Sequence, residues 1–68
     1  MPEVTAREAA RIVDSSQPTI FRRVEDGSLP ARRVGIRRDI YIEIDTLRSF
    51  AEQYGYKFDE ALAKQLAK

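Results

Sequence analysis

The first residues of the chain follow the spacing of an amphipathic helix. Its apolar stripe consists of small side chains that let a neighbouring helix approach closely: Ala6, Ala9, Ala10 and Val13. Thr5 and Glu8 form a capping-box pair, in which each side chain accepts the backbone N–H of the other residue. Because Asp14 and Ser15 interrupt the stripe, the pattern predicts a first helix that ends at about residue 13.

A second short helix is predicted over residues 17–26. Ser16 is a suitable N-cap, and Gly27 can adopt the left-handed conformation that often ends a helix. The helix has an apolar edge and an opposite polar edge, formed by Ile20 with Val24 and by Pro18, Thr19 and Arg22. Only the short segment Val13-Asp14-Ser15 separates the two helices, which is typical of a helix–turn–helix.

A β-hairpin is predicted after Pro30, which prevents the second helix from resuming. Its strands cover about residues 31–34 and 39–43, and Gly35 lies in the loop between them. The tip of the hairpin carries two arginines, Arg37 and Arg38. This pattern indicates a fold that is mainly α with a small β-hairpin, an α+β arrangement.

A third helix is expected to begin with Asp45 as its N-cap and to end at Gly55. Its core face is predicted from four residues at helical spacing: Leu47, Phe50, Ala51 and Tyr54. We expect a domain over residues 1–55, followed by a tail at 56–68 with a possible short helix capped by Asp59. So short a helix does not hold alone in water, so the tail docks, binds a partner or frays.

The composition excludes several kinds of chemistry. The chain has 68 residues, enough for one domain, and it contains no cysteine and no histidine. Disulfides, zinc-finger ligation and histidine-based catalysis are therefore excluded. No nucleophile–base pair or phosphate loop is recognisable, so we expect no enzyme, no catalytic residue, no metal and no cofactor. No membrane-spanning run or secretory signal is visible, so we expect a cytoplasmic protein that does not bind membranes.

The charge is distributed unevenly along the chain, although the net charge is only +1. Residues 17–38 carry six arginines against two carboxylates, a local charge of +4, whereas residues 39–60 have a local charge of −4. The basic residues of the first region are all arginine, which suits bidentate contacts to phosphate and guanine. Such a surface can also be an ordinary solvated face, but beside a short helix and a hairpin we expect it to bind nucleic acid.

Four segments, taken in order, resemble a known family. They are Thr5-Ala6-Arg7-Glu8-Ala9-Ala10, Ser16-x-x-Thr19-Ile20-Phe21-Arg22, Gly27-x-Leu29-Pro30-Ala31-x-Arg33-Val34-Gly35, and Ile42 with Leu47-x-x-Phe50. Together they are similar to the excisionase-type, MerR-like winged-helix DNA-binding domains. The resemblance covers residues 4 to about 51 and implies a winged helix–turn–helix fold.

The resemblance implies that the helix at 17–26 enters the DNA major groove and that the hairpin is a wing on the adjacent minor groove or backbone. The implied contacts are Ser16, Gln17, Thr19, Arg22 and Arg23 in the recognition helix, Arg33, Arg37 and Arg38 in the wing, and Thr5 at the backbone. The chain departs from the family pattern at Pro18, which removes one possible base contact, and at Ile36, which lengthens the wing loop. Four or five arginines on phosphates would give a log–log salt slope of roughly −4.

The resemblance also implies a role in site-specific recombination. An excisionase, or recombination directionality factor, is encoded by a phage, a bacterium or a mobile element. It binds and bends attachment-site DNA cooperatively, beside copies of itself, and promotes excision by an integrase of the tyrosine or serine recombinase class. A small transcription regulator or a DNA-binding antitoxin is the alternative. A small-molecule ligand is not expected, because the chain after Phe50 is short for a ligand sensor.

A third alternative is a protein-interaction module that acts through the tail. The apolar residues expected to make that contact are Phe58, Leu62 and Leu66.

Overall fold

A three-stranded antiparallel sheet and four helices form the part of the chain that the structure, a computed structural model, describes: residues 2–37 and 39–67. The elements follow in the order β1 (Glu3–Thr5), α1 (Ala6–Ile12), α2 (Gln17–Glu25), β2 (Arg32–Val34), β3 (Asp39–Glu43), α3 (Ile44–Tyr54) and α4 (Glu60–Leu66). The strand order in the sheet is β1-β3-β2. This is a small α+β domain, as the sequence predicts.

The two N-terminal helices have the caps predicted from the sequence. The Thr5 N–H donates to the Glu8 carboxylate at 2.9 Å, and the Glu8 N–H donates to the Thr5 hydroxyl at 3.2 Å. Ser16 caps α2 by accepting the Thr19 N–H at 3.3 Å. The turn between the helices bends at Asp14, which has a φ of 54°, a left-handed conformation that aspartate tolerates better than most residues.

The sheet contains one strand more than the predicted hairpin. β2 and β3 lie where the sequence places them, with Val34 opposite Asp39 next to the connecting loop. The additional strand, β1, pairs with the other side of β3 and places Val4 opposite Ile42. Both of these side chains are buried. A strand of three residues is too short for its alternating pattern to stand out in the sequence.

The predicted cap of the third helix is wrong. α3 begins at Ile44, directly after β3, so Glu43 occupies the N-cap position and makes no side-chain capping bond. Instead, the Ile44 N–H donates to the backbone carbonyl of Pro2 at 3.1 Å. Asp45 therefore lies inside the first turn. Gly55 ends the helix in the left-handed conformation, as expected, with a φ of 77°.

The tail docks against the body of the domain. Asp59 donates its backbone N–H to the Ile12 carbonyl at 2.9 Å, and its carboxylate accepts the Leu62 N–H at 3.0 Å as the N-cap of α4. Ala63 is buried within the core. The large core side chains come from the other helices, the strands and the connecting segments: Val4, Ile12, Val13, Ile20, Leu29, Ile42, Ile44, Leu47 and Phe50. Across the described residues, no helix is long and apolar enough to cross a bilayer.

Candidate nucleic-acid interface

The exposed side of α2 carries polar groups that the core does not use. Ile20 is fully buried beneath the helix, whereas Gln17 and Arg22 are exposed. The Ser16 and Thr19 hydroxyls lie 2.8 Å apart and hydrogen-bond to each other at the N-cap. The two hydroxyls thus hold the start of α2 in place, and Gln17 and Arg22 remain available to a ligand.

A groove of about 460 Å³ runs between the start of α1, α2 and the β2–β3 hairpin. Its lining brings together Thr5, Gln17 and Arg37, which the sequence places at the DNA interface. It also contains Arg7 and Phe21, two exposed residues that the sequence pattern does not assign to the site. A signal for Arg7 does exist in the sequence, because it closely follows the predicted backbone contact Thr5 on the exposed side of the first helix.

Arg23 lies on the other flank of α2, away from this groove. Its guanidinium stacks over the Tyr54 ring, 4.9 Å from the ring centroid. The Tyr56 hydroxyl, acting as a hydrogen-bond acceptor, raises the pKa of Arg23 above its usual value. The structure therefore joins Arg23 to the C-terminal end of α3 rather than to the groove.

The two arginines of β2 are paired with carboxylates of other elements, one on β1 across the sheet and one on α2. Arg32 makes a bidentate ion pair with Glu3 of β1, with its Nε atom 3.0 Å from Oε2, and this contact holds the pKa of Glu3 below its usual range. Arg33 lies 3.9 Å from the Glu25 carboxylate at the end of α2. The predicted wing contact Arg38 lies outside the described residues.

Among the described residues, four exposed arginines have no carboxylate within 4.0 Å: Arg7, Arg11, Arg22 and Arg37. Arg11 lies beside Lys57 and Phe58 of the tail, whereas the other three lie on or beside α2. Asp39 is a carboxylate that lines the same groove. We call Gln17, Arg7, Arg22 and Arg37 together the arginine face: Gln17, Arg7 and Arg37 line the groove, and Arg22 lies on the exposed side of α2. Its excess of positive charge suits a polyanion.

A separate part of the surface contains an arginine that is bound to two carboxylates. Arg48 of α3 contacts both carboxylate oxygens of Glu60 at 2.9 Å and one oxygen of Asp45 at 2.8 Å. Its guanidinium also lies over the Phe58 ring, 5.1 Å from the centroid. The hydrogen bond from Arg48 lowers the pKa of Glu60. This cluster fastens α4 to α3.

The apolar residues of the tail are partly used in docking. Phe58, Leu62 and Leu66 are each half-buried and pack against the core cluster. In the stretches 2–37 and 39–67, no group of three or more acidic residues is placed to hold a metal ion. The arginine face is thus the surface whose chemistry most clearly indicates a ligand.

No protein-family model, curated protein or solved structure matches this chain.

Proposed function

We propose that this domain binds double-stranded DNA as a winged helix–turn–helix, with α2 in the major groove and the β2–β3 hairpin as the wing. The proposal rests on which arginines are exposed without a carboxylate partner and which are bound in ion pairs. Arg7, Arg22 and Arg37 are exposed and have no carboxylate partner among the described residues, whereas Arg32 and Arg48 are bound in ion pairs on other surfaces.

The dimensions of α2 support this placement. The helix has nine residues. With its side chains an α-helix is about 10–12 Å in diameter, so α2 fits into a major groove that is about 12 Å wide. In its first turn, Pro18 has no N–H and the Thr19 and Ile20 N–H groups are bonded to Ser16, so the Gln17 N–H is the backbone donor that can meet a phosphate.

Each exposed side chain has a role that fits its chemistry. Arg22 projects from the side of α2 opposite the core, where its guanidinium can donate to a guanine edge. Gln17 can pair with an adenine edge in the same way. Arg7 and Arg37 flank the groove and suit phosphate contacts, which fix the orientation of the domain on the duplex.

The biological role that we propose is architectural, in site-specific recombination. One short helix and one wing provide few base contacts, so a single copy binds weakly and neighbouring copies bind cooperatively on repeated sites. An integrase is the proposed protein partner, and no catalytic role is proposed for the domain. A small transcription regulator or antitoxin uses the same face on a different DNA site.

An electrophoretic titration tests both the proposed DNA binding and the proposed role in recombination. The DNA is duplex from the region that flanks the gene, including its promoter and any attachment site, and the proteins are wild type, Arg22→Ala and Arg32→Ala. We expect Arg22→Ala to weaken specific binding about 10- to 100-fold, because it removes one bidentate base contact. Arg32→Ala is the matched control, since its guanidinium is already held by Glu3.

The position of the shift identifies the role. Stepwise, cooperative shifts at the attachment site support the architectural role, and binding confined to the promoter supports a regulator or antitoxin. Equal loss of affinity in both variants would contradict the assignment of the arginine face. The absence of any shift with wild type would contradict DNA binding itself.

A further inference from the structure

Ile36 is exposed to an unusual degree. Its relative exposure is 102 %, whereas the other exposed large apolar side chains of the described residues range from 38 % to 41 %. The Ile36 side chain is therefore as open to solvent as in an extended peptide. It contributes nothing to the core.

The turn does not require an isoleucine at this position. Gly35 supplies the left-handed conformation, with a φ of 79°, that the chain needs to leave β2. Glycine, asparagine, aspartate and serine are the usual residues of such tips, because they satisfy the backbone or tolerate the bend. A β-branched apolar side chain offers neither advantage, so its exposure points to a role outside the folded chain.

The tip lies on the same side of the domain as the arginine face. Ile36 directly precedes Arg37, which lines the groove together with Gln17 and Phe21 of α2. The domain is 31 Å in its longest dimension. One turn of B-DNA measures about 34 Å, so a domain of this length with α2 in the major groove can reach the adjacent minor groove with its hairpin.

We propose that Ile36 is an apolar wedge that enters the minor groove and partly unstacks one base step. This inference rests on the proposed DNA-binding function and adds the residue that deforms the duplex. Arg37 provides the adjacent positive charge, which the electronegative minor groove attracts. Apolar wedges of this kind kink a duplex by about 20–90° towards the major groove.

The wedge also predicts where on the DNA the domain acts. Unstacking costs least at flexible pyrimidine–purine steps such as TA and CA, so the kinked step is of this type. The domain then prefers certain base sequences at the kinked step, although the Ile36 side chain cannot form a hydrogen bond with the bases there. The affinity for a site depends on how easily that step bends as well as on the bases that α2 contacts.

The test uses the full chain and a duplex that wild-type protein selects from a random-sequence pool. Bending is measured by energy transfer between dyes at the duplex ends, and unstacked thymines are detected by their reactivity with permanganate. The variants are Ile36→Ser, Ile36→Leu and the matched control Val34→Ser, which removes an exposed apolar side chain from the same hairpin. Thermal unfolding of each variant confirms that it is folded.

We expect wild type and Ile36→Leu to bend the duplex and to expose a thymine at one pyrimidine–purine step. Ile36→Ser loses the reactive thymine and at least half of the bend, and its affinity falls several-fold, whereas Val34→Ser behaves as wild type. Bending and reactivity that are unchanged in Ile36→Ser, or absent in wild type bound to DNA, would overturn the wedge and leave DNA binding intact. If wild type selects no duplex at all, the proposed function and the wedge fail together.

Discussion

At the scale of single residues, the side-chain partners of an arginine, rather than its place in the sequence, determine whether its guanidinium is open to a ligand. The dense arginine region is a property of the sequence and can be recognised there directly. The ion pair between Arg32 and Glu3 cannot, because it joins residues that are 29 positions apart. The guanidinium of Arg23 likewise stacks on the ring of Tyr54, a residue of another helix.

The caps of α1, α2 and α4, in contrast, are predictable from the sequence. The contacts of Thr5 with Glu8 and of Ser16 with Thr19 each span three positions, so their geometry follows from the helix itself. The same reasoning finds the left-handed glycines Gly27 and Gly55 at the predicted helix ends.

The turn at Asp14 supplies a prediction about stability. Among the described residues, Asp14 is the non-glycine residue with positive φ, at 54°. Asp14→Ala places a side chain with no local hydrogen-bonding capacity in that conformation, and we expect the free energy of unfolding to fall by about 1 kcal/mol. Asp14→Gly removes the steric penalty and is expected to be at least as stable as wild type.

Chemical denaturation of the two Asp14 variants measures this difference. The matched control is Arg11→Ala, an exposed substitution inside α1 that leaves the turn intact. An Asp14→Ala variant as stable as Asp14→Gly would show that the left-handed conformation imposes no cost at this position.

At the scale of secondary-structure elements, the sequence predicts those whose signals are local. α1, α2, α4 and the hairpin all have caps or breakers within a few residues of their ends. β1 cannot be predicted in this way, because three residues carry too little pattern. The prediction of Asp45 as a cap fails because β3 continues into α3 without a loop, so this favourable capping residue comes two positions too late.

The attachment of α4 predicts a dependence of stability on pH. The hydrogen bond from Arg48 gives Glu60 a pKa below its ordinary value of 4.5 in the folded chain. Because the pKa of Glu60 is lower in the folded chain than in the unfolded chain, the Arg48–Glu60 contact stabilises the fold fully at pH values above the unfolded-state pKa. This stabilisation is lost as the pH falls through the folded-state pKa of Glu60. We therefore expect the free energy of unfolding to decrease below about pH 4.5.

Substitution of Glu60 measures how much of the loss in the free energy of unfolding at low pH is due to this residue. Denaturant titrations from about pH 7 to about pH 3 should show a shallower decline for Glu60→Gln than for wild type. Glu52→Gln, an exposed change on α3 without an arginine partner among the described residues, should keep the wild-type decline. Parallel curves for Glu60→Gln and wild type would contradict the role assigned to the Arg48–Glu60 contact.

At the scale of the whole molecule, two parts of the surface differ in how their charges are paired. Carboxylates of α3 and α4 bind Arg48, whereas the arginines of the arginine face have no carboxylate within 4.0 Å among the described residues. The docking of α4 through Asp59 and Ile12 is a contact between distant segments. It could not be predicted because the tail's sequence allows docking, binding or fraying equally well.

The number of open arginines sets the expected salt dependence of DNA binding. Each arginine that neutralises one phosphate contributes about −0.9 to the slope of log affinity against log salt. Arg7 and Arg37, the two arginines proposed for phosphate contacts, therefore predict a slope of about −2, shallower than the estimate from the arginine-rich sequence alone. Arg37→Ala should reduce the magnitude of the slope by about 1, and Arg32→Ala should leave it unchanged.

Fluorescence anisotropy at several salt concentrations measures these slopes with one labelled duplex. Equal slopes for wild type and Arg37→Ala would remove Arg37 from the phosphate contacts.

The most direct test of the central claim is a nuclear magnetic resonance titration of labelled protein with a selected duplex. The claim is that DNA contacts the arginine face, so the largest amide shift changes are expected at Arg7, from Gln17 to Arg22 and from Gly35 to Arg37. The amides of α4 should remain unchanged, because no residue of α4 lines the groove or belongs to the arginine face. Changes concentrated on α4, or none at saturating DNA, would contradict the account.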